Sequence, residues 1–426
     1  MLLTKVIVVA IAGAVGAALA NRGIVIFHDA VRSIMPELLA GRMQRREFVT
    51  LTIGSCFGLI IYFGMSFSLI SSIVLSHALW LGTDIIGAWF PGATDQEQRS
   101  ATKSYLGLFG SIISGALYGA LLILGIQGIN TLVTRLPVNF FGHLSSLSAP
   151  IIFTLAAIPA LTIAYQYGIK PGLIAFFISL VVRQAASIII IAQPDAWAFL
   201  AGMLVLLVHT IQEARCEVPS EDLFVVSEEN VRRVRRHLPW LAVLGAIYAI
   251  STNLGVLMEG PQSLLAFAQG DRISALNYTI ARALSFLPMR TMSILTTGIF
   301  TMDGLGFAPA VGLIAPNPWM AAIAGAAIMS GEALSLVAIA KFFNRFPCIL
   351  KAANSIRTAM TKLLEVSSLI GGLMAANAMA PGFGLFAAAG LYLFNEAAGA
   401  PVVRVAVGPI SVILIGLVLN LLSILS

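Results

Sequence analysis

The chain returns again and again to uninterrupted apolar runs of about 20 residues, the length a helix needs to cross the hydrocarbon core of a bilayer. The runs cover residues 4–20, 49–90 (long enough for two passes), 105–130, 147–167, 172–192, 196–211, 240–258, 284–314 (broken), 320–340, 366–380, 384–394 and 405–425. No water-soluble fold can bury so many of them. Composition agrees: 58% of the 426 residues are hydrophobic and 10% charged, where an average soluble domain carries about 25% charge. A soluble enzyme, a nucleic-acid binder and a disordered scaffold are excluded. The short alternating segments of a membrane β-barrel are absent, and backbone in lipid must satisfy its own hydrogen bonds, so the runs predict helices. The expected fold class is an all-α polytopic membrane protein with about 10–12 transmembrane segments.

The first run ends in Ala18-Leu19-Ala20, which could pass for a leader-peptidase site. A partner for this run later in the chain argues instead for a retained span. Cys56, Cys216 and Cys348 are widely separated and form no CxxC pair, so neither a disulfide framework nor a thiolate metal site is expected. The strongly hydrophilic interior stretch, 212–237, carries six acids and then Arg232, Arg233, Arg235 and Arg236. A charge block of this kind reads first as a solvated linker. Here it divides the chain into a first membrane repeat (1–211), a charged cytoplasmic linker (212–237) and a second membrane repeat (238–426).

Short echoes recur in order across that linker. Asn21-Arg22-Gly23-Ile24 answers Asn253-Leu254-Gly255-Val256, and Thr83-Asp84 answers Met302-Asp303. Ser114-Gly115 answers Ser330-Gly331, and Gly172-Leu173-Ile174-Ala175 answers Gly384-Leu385-Phe386-Ala387. The offsets fall from 232 through 219 and 216 to 212, as small deletions in a duplicated chain would make them. Placing residues 21–47 in the cytoplasm assigns 19 of the 25 Lys and Arg residues to the inside and leaves Lys5, Arg135, Arg272, Arg282 and Arg290 outside, with Arg183 within a span. Positive charge marks cytoplasmic loops, so both chain ends are expected in the periplasm. The first span then runs inward and its partner at 240–258 outward, which makes the repeats inverted, as in many secondary transporters.

Ionisable groups inside a membrane are expensive and point to function. Asp84, next to Thr83, and Asp303 are each followed by Gly and then Pro, residues that break helices and free backbone groups to line a cavity. Caps at the membrane surface are the bland alternative for both. Arg183, beside Gln184, needs a counter-ion, either from another helix, with Glu332 or Glu396 as the expected partner, or from an anionic ligand. Glu332 lies mid-span and is a candidate for proton or ion coupling. Asn395 and Glu396 end a short run and read as site residues or as a cap. Asn21, His28, Asp29 and Asn253 read as caps, and the lone histidines His77, His143 and His209 as packed residues, since no HExxH pattern sets two of them one turn apart.

The stretch NRGIVIFHDAVRSIMPELLAGRM, together with LGTDIIGAWFP, resembles the YhfT family of bacterial inner-membrane proteins over nearly the whole chain. The organisation is distantly similar to the membrane components of sugar phosphotransferase systems of the ascorbate type. That resemblance implies a homodimer in which a transport domain moves against a fixed scaffold. No soluble domain with a phosphorylatable Cys or His is present in the sequence, so phosphorylation-coupled transport is not expected. Two function classes follow. One is an elevator-like secondary transporter for a small polar, anionic metabolite, with Thr83, Asp84, Arg183, Gln184, Asp303, Asn395 and Glu396 around the substrate, no cofactor and no nucleic-acid partner. The other is an intramembrane diaspartyl protease using Asp84 and Asp303 as paired carboxylates, although the Tyr-Asp and GxGD motifs of such enzymes are missing.

Overall fold

A computed structural model describes residues 2–39, 41–92, 101–133, 135–144, 150, 154, 156–189, 194–213, 228–301, 307–343 and 348–425. The described residues are mostly helical, with two short strands among them. In chain order the elements are α1 (Leu2–Asn21), α2 (Asp29–Leu39), α3 (Arg45–Ser71, with a π-helical turn at Ile60–Met65), β1 (Val74–Leu75), α4 (Ser76–Trp89), α5 (Ala101–Val133) and α6 (Phe140–Leu144). There follow α7 (Ile158–Tyr167), α8 (Ile169–Ile188), α9 (Pro194–Gln212), α10 (Glu228–Arg236), α11 (Leu238–Asn253), β2 (Leu257–Met258), α12 (Pro261–Ala268), α13 (Arg272–Thr297) and α14 (Phe307–Ile314). The last four are α15 (Pro318–Phe343), α16 (Cys348–Met379), α17 (Phe383–Ala397) and α18 (Arg404–Leu425). Among the described residues seven helices are long and apolar enough to cross a membrane. The chain is a polytopic α-helical membrane protein.

Two of the apolar runs resolve into a full-length helix followed by a broken one. Residues 49–90 form α3, which stops where Ser72 takes a left-handed backbone (φ 57°), then β1 and the short α4. At 14 residues α4 is about 21 Å long, too short to span alone. The run at 284–314 is likewise the end of α13, a left-handed Gly298 (φ 65°) and the eight-residue α14. Asp271 accepts from the Ser274 amide at 2.9 Å and so fixes the start of α13, satisfying a donor the helix cannot. This start lies well before the apolar run begins. Arg282 and Arg290, expected in an outer loop, therefore lie inside a helix, and both are largely buried.

Helix approach is set by small residues. Gly115 of α5 lies against Gly13 and Ala17 of α1, Gly119 against Val9, and the Ser111 hydroxyl donates to the Ala17 carbonyl at 2.8 Å. These contacts run in opposite chain order, so α1 and α5 are antiparallel. Any Cβ on Gly13 would overlap the Gly115 carbonyl, and membrane helices gain their packing from such close contacts. In the second half Gly325 of α15 meets Gly245 and Ala249 of α11 in the same way.

At the centre, four extended segments pair across the halves. Val74 and Leu75 of β1 run parallel to Leu257 and Met258 of β2, and Val25 bridges Phe300 in parallel. Ile26 donates to Phe300 at 3.0 Å and Phe300 to Ile24 at 3.1 Å. All of these side chains are buried. Non-helical backbone at membrane depth survives only where protein surrounds it and its amides find partners. Here Ile26, Val74 and Phe300 find theirs in the other half of the chain.

Candidate functional site

The crossing positions each broken helix by its ends. Asn21, at the end of α1, donates from Nδ2 to the carbonyls of Gly87 (3.1 Å) and Phe90 (2.9 Å), which α4 leaves unpaired at its C-terminus. Arg45 adds a bond to the Ala88 carbonyl at 2.8 Å. Asn253, at the end of α11, donates to Gly312 (3.0 Å) and Ala315 (2.7 Å), and Arg272 donates to Leu313 at 2.7 Å. Both helices thus end in the same Asn-plus-Arg clamp. Gly87 corresponds to Gly312 and Ala88 to Leu313, an offset of 225 in each case. In that register Asp84 falls opposite Pro309, and Asp303 opposite Ala78. The sequence echo that matched Asp84 with Asp303 used 219, so the two acids are not counterparts of this clamp. Asp303 itself lies outside the described residues.

Asp84 is 1% exposed and accepts from two consecutive backbone amides, Phe27 (3.1 Å) and His28 (2.8 Å), just ahead of α2. Its carboxylate occupies the anion position that helix N-termini offer. Thr83 is buried and donates to the Trp80 carbonyl at 2.7 Å. Eight residues earlier, about 12 Å along α4, Ser76 and His77 begin the helix, with Ser76 Oγ 3.3 Å from His77 Nδ1. Here β1 lies beside β2, and β2 leads into a second acid. Glu259 is 2% exposed, takes a hydrogen bond from the Tyr248 hydroxyl, and pairs with Arg282 Nε at 3.3 Å. Arg282 also lies over the Phe286 ring, 4.9 Å from its centroid.

An aromatic stack separates the two acids. Phe27 stacks on Trp80 at 4.8 Å, and Trp80 meets Tyr248 edge-on at 5.6 Å. Phe27 gives its amide to Asp84 and Tyr248 gives its hydroxyl to Glu259, so each end of the stack is tied to one carboxylate. Such ring pairs are worth about 0.5–1.5 kcal/mol beyond the area they bury.

The other expected site residues lie apart from this centre. Arg183 donates to Asp195 across the α8–α9 turn at 2.6 Å, rather than to Glu332 or Glu396, and Gln184 is exposed. Asn395 makes two 3.0 Å bonds with the Val402 backbone, and Glu396 holds Arg404 with bonds of 2.8 and 2.9 Å. Both sets of contacts clasp a turn between helices. Glu332 of α15 faces Arg290 of α13 at 3.4 Å, with Arg290 2% exposed. Sequence reasoning missed Tyr248, Glu259, Arg282 and Arg290. The signal was present for three of them, since an acid beside a span end and two arginines within 284–314 or just before it meet the same intramembrane-charge criterion as Asp84.

These features define a class: a polytopic α-helical membrane protein with helices interrupted around a buried polar crossing. The chain belongs to the YhfT family, described as a protein of unknown function, which it matches over residues 5–426. It is similar to the uncharacterized protein YhfT of Escherichia coli (strain K12), 31% identical over 439 residues that cover 98% of this chain and 97% of the relative. No solved structure matches it.

Proposed function

We propose that this protein is a secondary-type transporter of the bacterial inner membrane, built from two inverted repeats at 1–211 and 238–426 joined by a cytoplasmic linker at 212–237. It moves a small polar, anionic metabolite by alternating access, elevator-like and as a homodimer, without enzymatic chemistry. One observation carries the reading. The clamps on α4 and α14 share three contacts in one register, Gly87 with Gly312, Ala88 with Leu313 and Phe90 with Ala315, yet the two halves run oppositely along α4. Gly16 of α1 faces Trp80 and Thr83 while Ala20 and Asn21 face Gly87, so α1 and α4 are parallel and α1 ends at the C-terminus of α4. The strand that follows α11 pairs with β1, at the N-terminus of α4. Two like units of opposite direction, meeting at interrupted helices, are the architecture in which transporters place their substrate sites. Helix N-termini at the crossing suit an anionic ligand.

Within this reading Asp84, Thr83 and Asp303 belong to the ligand pathway, and Glu332 is a candidate for proton or ion coupling. Arg183, Gln184, Asn395 and Glu396 are assigned instead to the turns that stiffen the surrounding helices. The binding of both Asp84 oxygens by backbone amides supports positioning over catalysis and weighs against a diaspartyl protease. The test uses single cysteines at Ser76 and His28 in a chain lacking Cys56, Cys216 and Cys348. A membrane-impermeant maleimide is applied to right-side-out and to inverted vesicles. Alternating access expects labelling of each position from both sides. Labelling from one side only, at both positions, overturns it.

A further inference from the structure

Among the described residues, Arg290 and Glu332 form a buried pair unlike the other ion pairs. Their closest approach, Nη2 to Oε2, is 3.4 Å, longer than the 2.7–2.9 Å of a charge-assisted bond. Arg290 Nε and Nη1, and both oxygens of Glu332, have no hydrogen-bond partner, and each of these atoms is buried. By contrast Glu259 fills both its oxygens with Tyr248 and Arg282, and Glu396 grips Arg404 through two bonds. Buried polar atoms are hydrogen-bonded as a rule, and an exception calls for a cause. The pair lies between α13 and α15, and α10 packs against both helices. Eight residues along α13 is the Arg282–Glu259 pair, with Phe286 between them stacked on Phe199 of α9 at 4.7 Å.

We propose that Arg290 is the binding residue for a small oxyanion, carboxylate or phosphate, and that Glu332 occupies that position when no ligand is bound. The planar guanidinium presents paired donors that match the oxygens of either group. Nε and Nη1 are unused here, and Glu332 holds Arg290 too loosely to compete with a ligand that engages it closely. An arriving anion completes the donors of Arg290, and Glu332 turns aside. The proposal names the substrate chemistry of the transport reading and rests on it for its role in uptake. The binding step stands by itself and is measured without transport.

The experiment follows the thermal unfolding midpoint of the detergent-purified full chain during titration with inorganic phosphate and, separately, with succinate. At least one of them raises the midpoint of the wild type, and the one that does identifies the oxyanion class. Two variants then move in opposite directions. Glu332→Gln removes the internal competitor and tightens the apparent Kd on the order of tenfold, whereas Arg290→Gln weakens it by at least that factor. A pair that is merely structural loses stability in both variants and shows no such split. The proposal is overturned if neither anion shifts the wild type, or if Glu332→Gln binds no more tightly. That variant leaves Arg290 in place, so it decides the matter even where Arg290→Gln fails to accumulate. Two-sided labelling with no anion response rejects the site and spares the transporter; one-sided labelling with a clear anion response does the reverse.

Discussion

Asn21 and Arg45 hold the end of α4 as Asn253 and Arg272 hold the end of α14, but the buried acids of the two halves differ in kind. In the first half Asp84 faces backbone amides. In the second, Glu259 faces a guanidinium and a phenol. The position equivalent to Glu259, by the offset of 232 that relates Asn21 to Asn253, is Phe27, and the position equivalent to His28 is Gly260. What the halves share is a frame that tolerates interrupted helices. What they do not share is chemistry, and a site for one asymmetric ligand needs that difference.

The largest expected effect breaks the second half's version. Glu259→Ala strips the carboxylate that Arg282 and Tyr248 share, and removing one member of a buried pair costs about 3–5 kcal/mol. Glu259→Gln, which keeps an acceptor, should lose far less. Urea unfolding of the purified protein measures both, and equal losses would show that the charge, which both variants lack, carries the whole effect and the retained acceptor none. The first half gives a smaller figure. Asp84→Ala leaves two buried amides without an acceptor, about 1–3 kcal/mol, and Asp84→Asn recovers part of it because the side-chain carbonyl still accepts. If Asp84→Asn is as unstable as Asp84→Ala, the carboxylate carries more than its two amide bonds. The smallest effect lies outside the comparison. Arg404→Gln opens an exposed clasp, and exposed ion pairs contribute little, so the unfolding midpoint should stay where it was. A clear drop would make the α17–α18 turn part of the core machinery.

Much of the frame is legible in the sequence because its causes are local. Apolar length predicts spans, and the Asn21/Asn253 echo marks two residues with the same task. The Gly172/Gly384 echo also has a structural counterpart: Gly172 packs on Ala164 and Gly384 on Ala376, both at an offset of 212. The middle echoes mislead. Gly115 shares its contacts with Gly325, not with Gly331, because in a chain with 38 glycines a Ser-Gly dipeptide recurs at several offsets and only the helix contact selects one. Arg282 and Arg290 are misplaced for a different reason. A helix surrounded by protein can carry charge and polar side chains that lower its hydropathy, so the apolar run begins late and its first turns resemble a loop. Pairing between distant residues, such as Arg183 with Asp195 or Glu259 with Arg282, depends on which helices adjoin, and no single sequence records that.

The crossed strands have a consequence for how the protein is made. The Ile26 amide finds its acceptor at Phe300 and the Val74 amide at Val256, each in the other half of the chain. A ribosome that has delivered the whole first half has therefore delivered two extended segments, each with a backbone amide whose acceptor has yet to be made. Those segments must wait, sheltered by the insertion machinery or by neighbouring helices, until the second half emerges and threads between them. Neither half produced alone can close its own break. Separately expressed halves should be degraded singly and rescued together, which makes biogenesis, rather than transport, the first process to fail when either strand is disturbed.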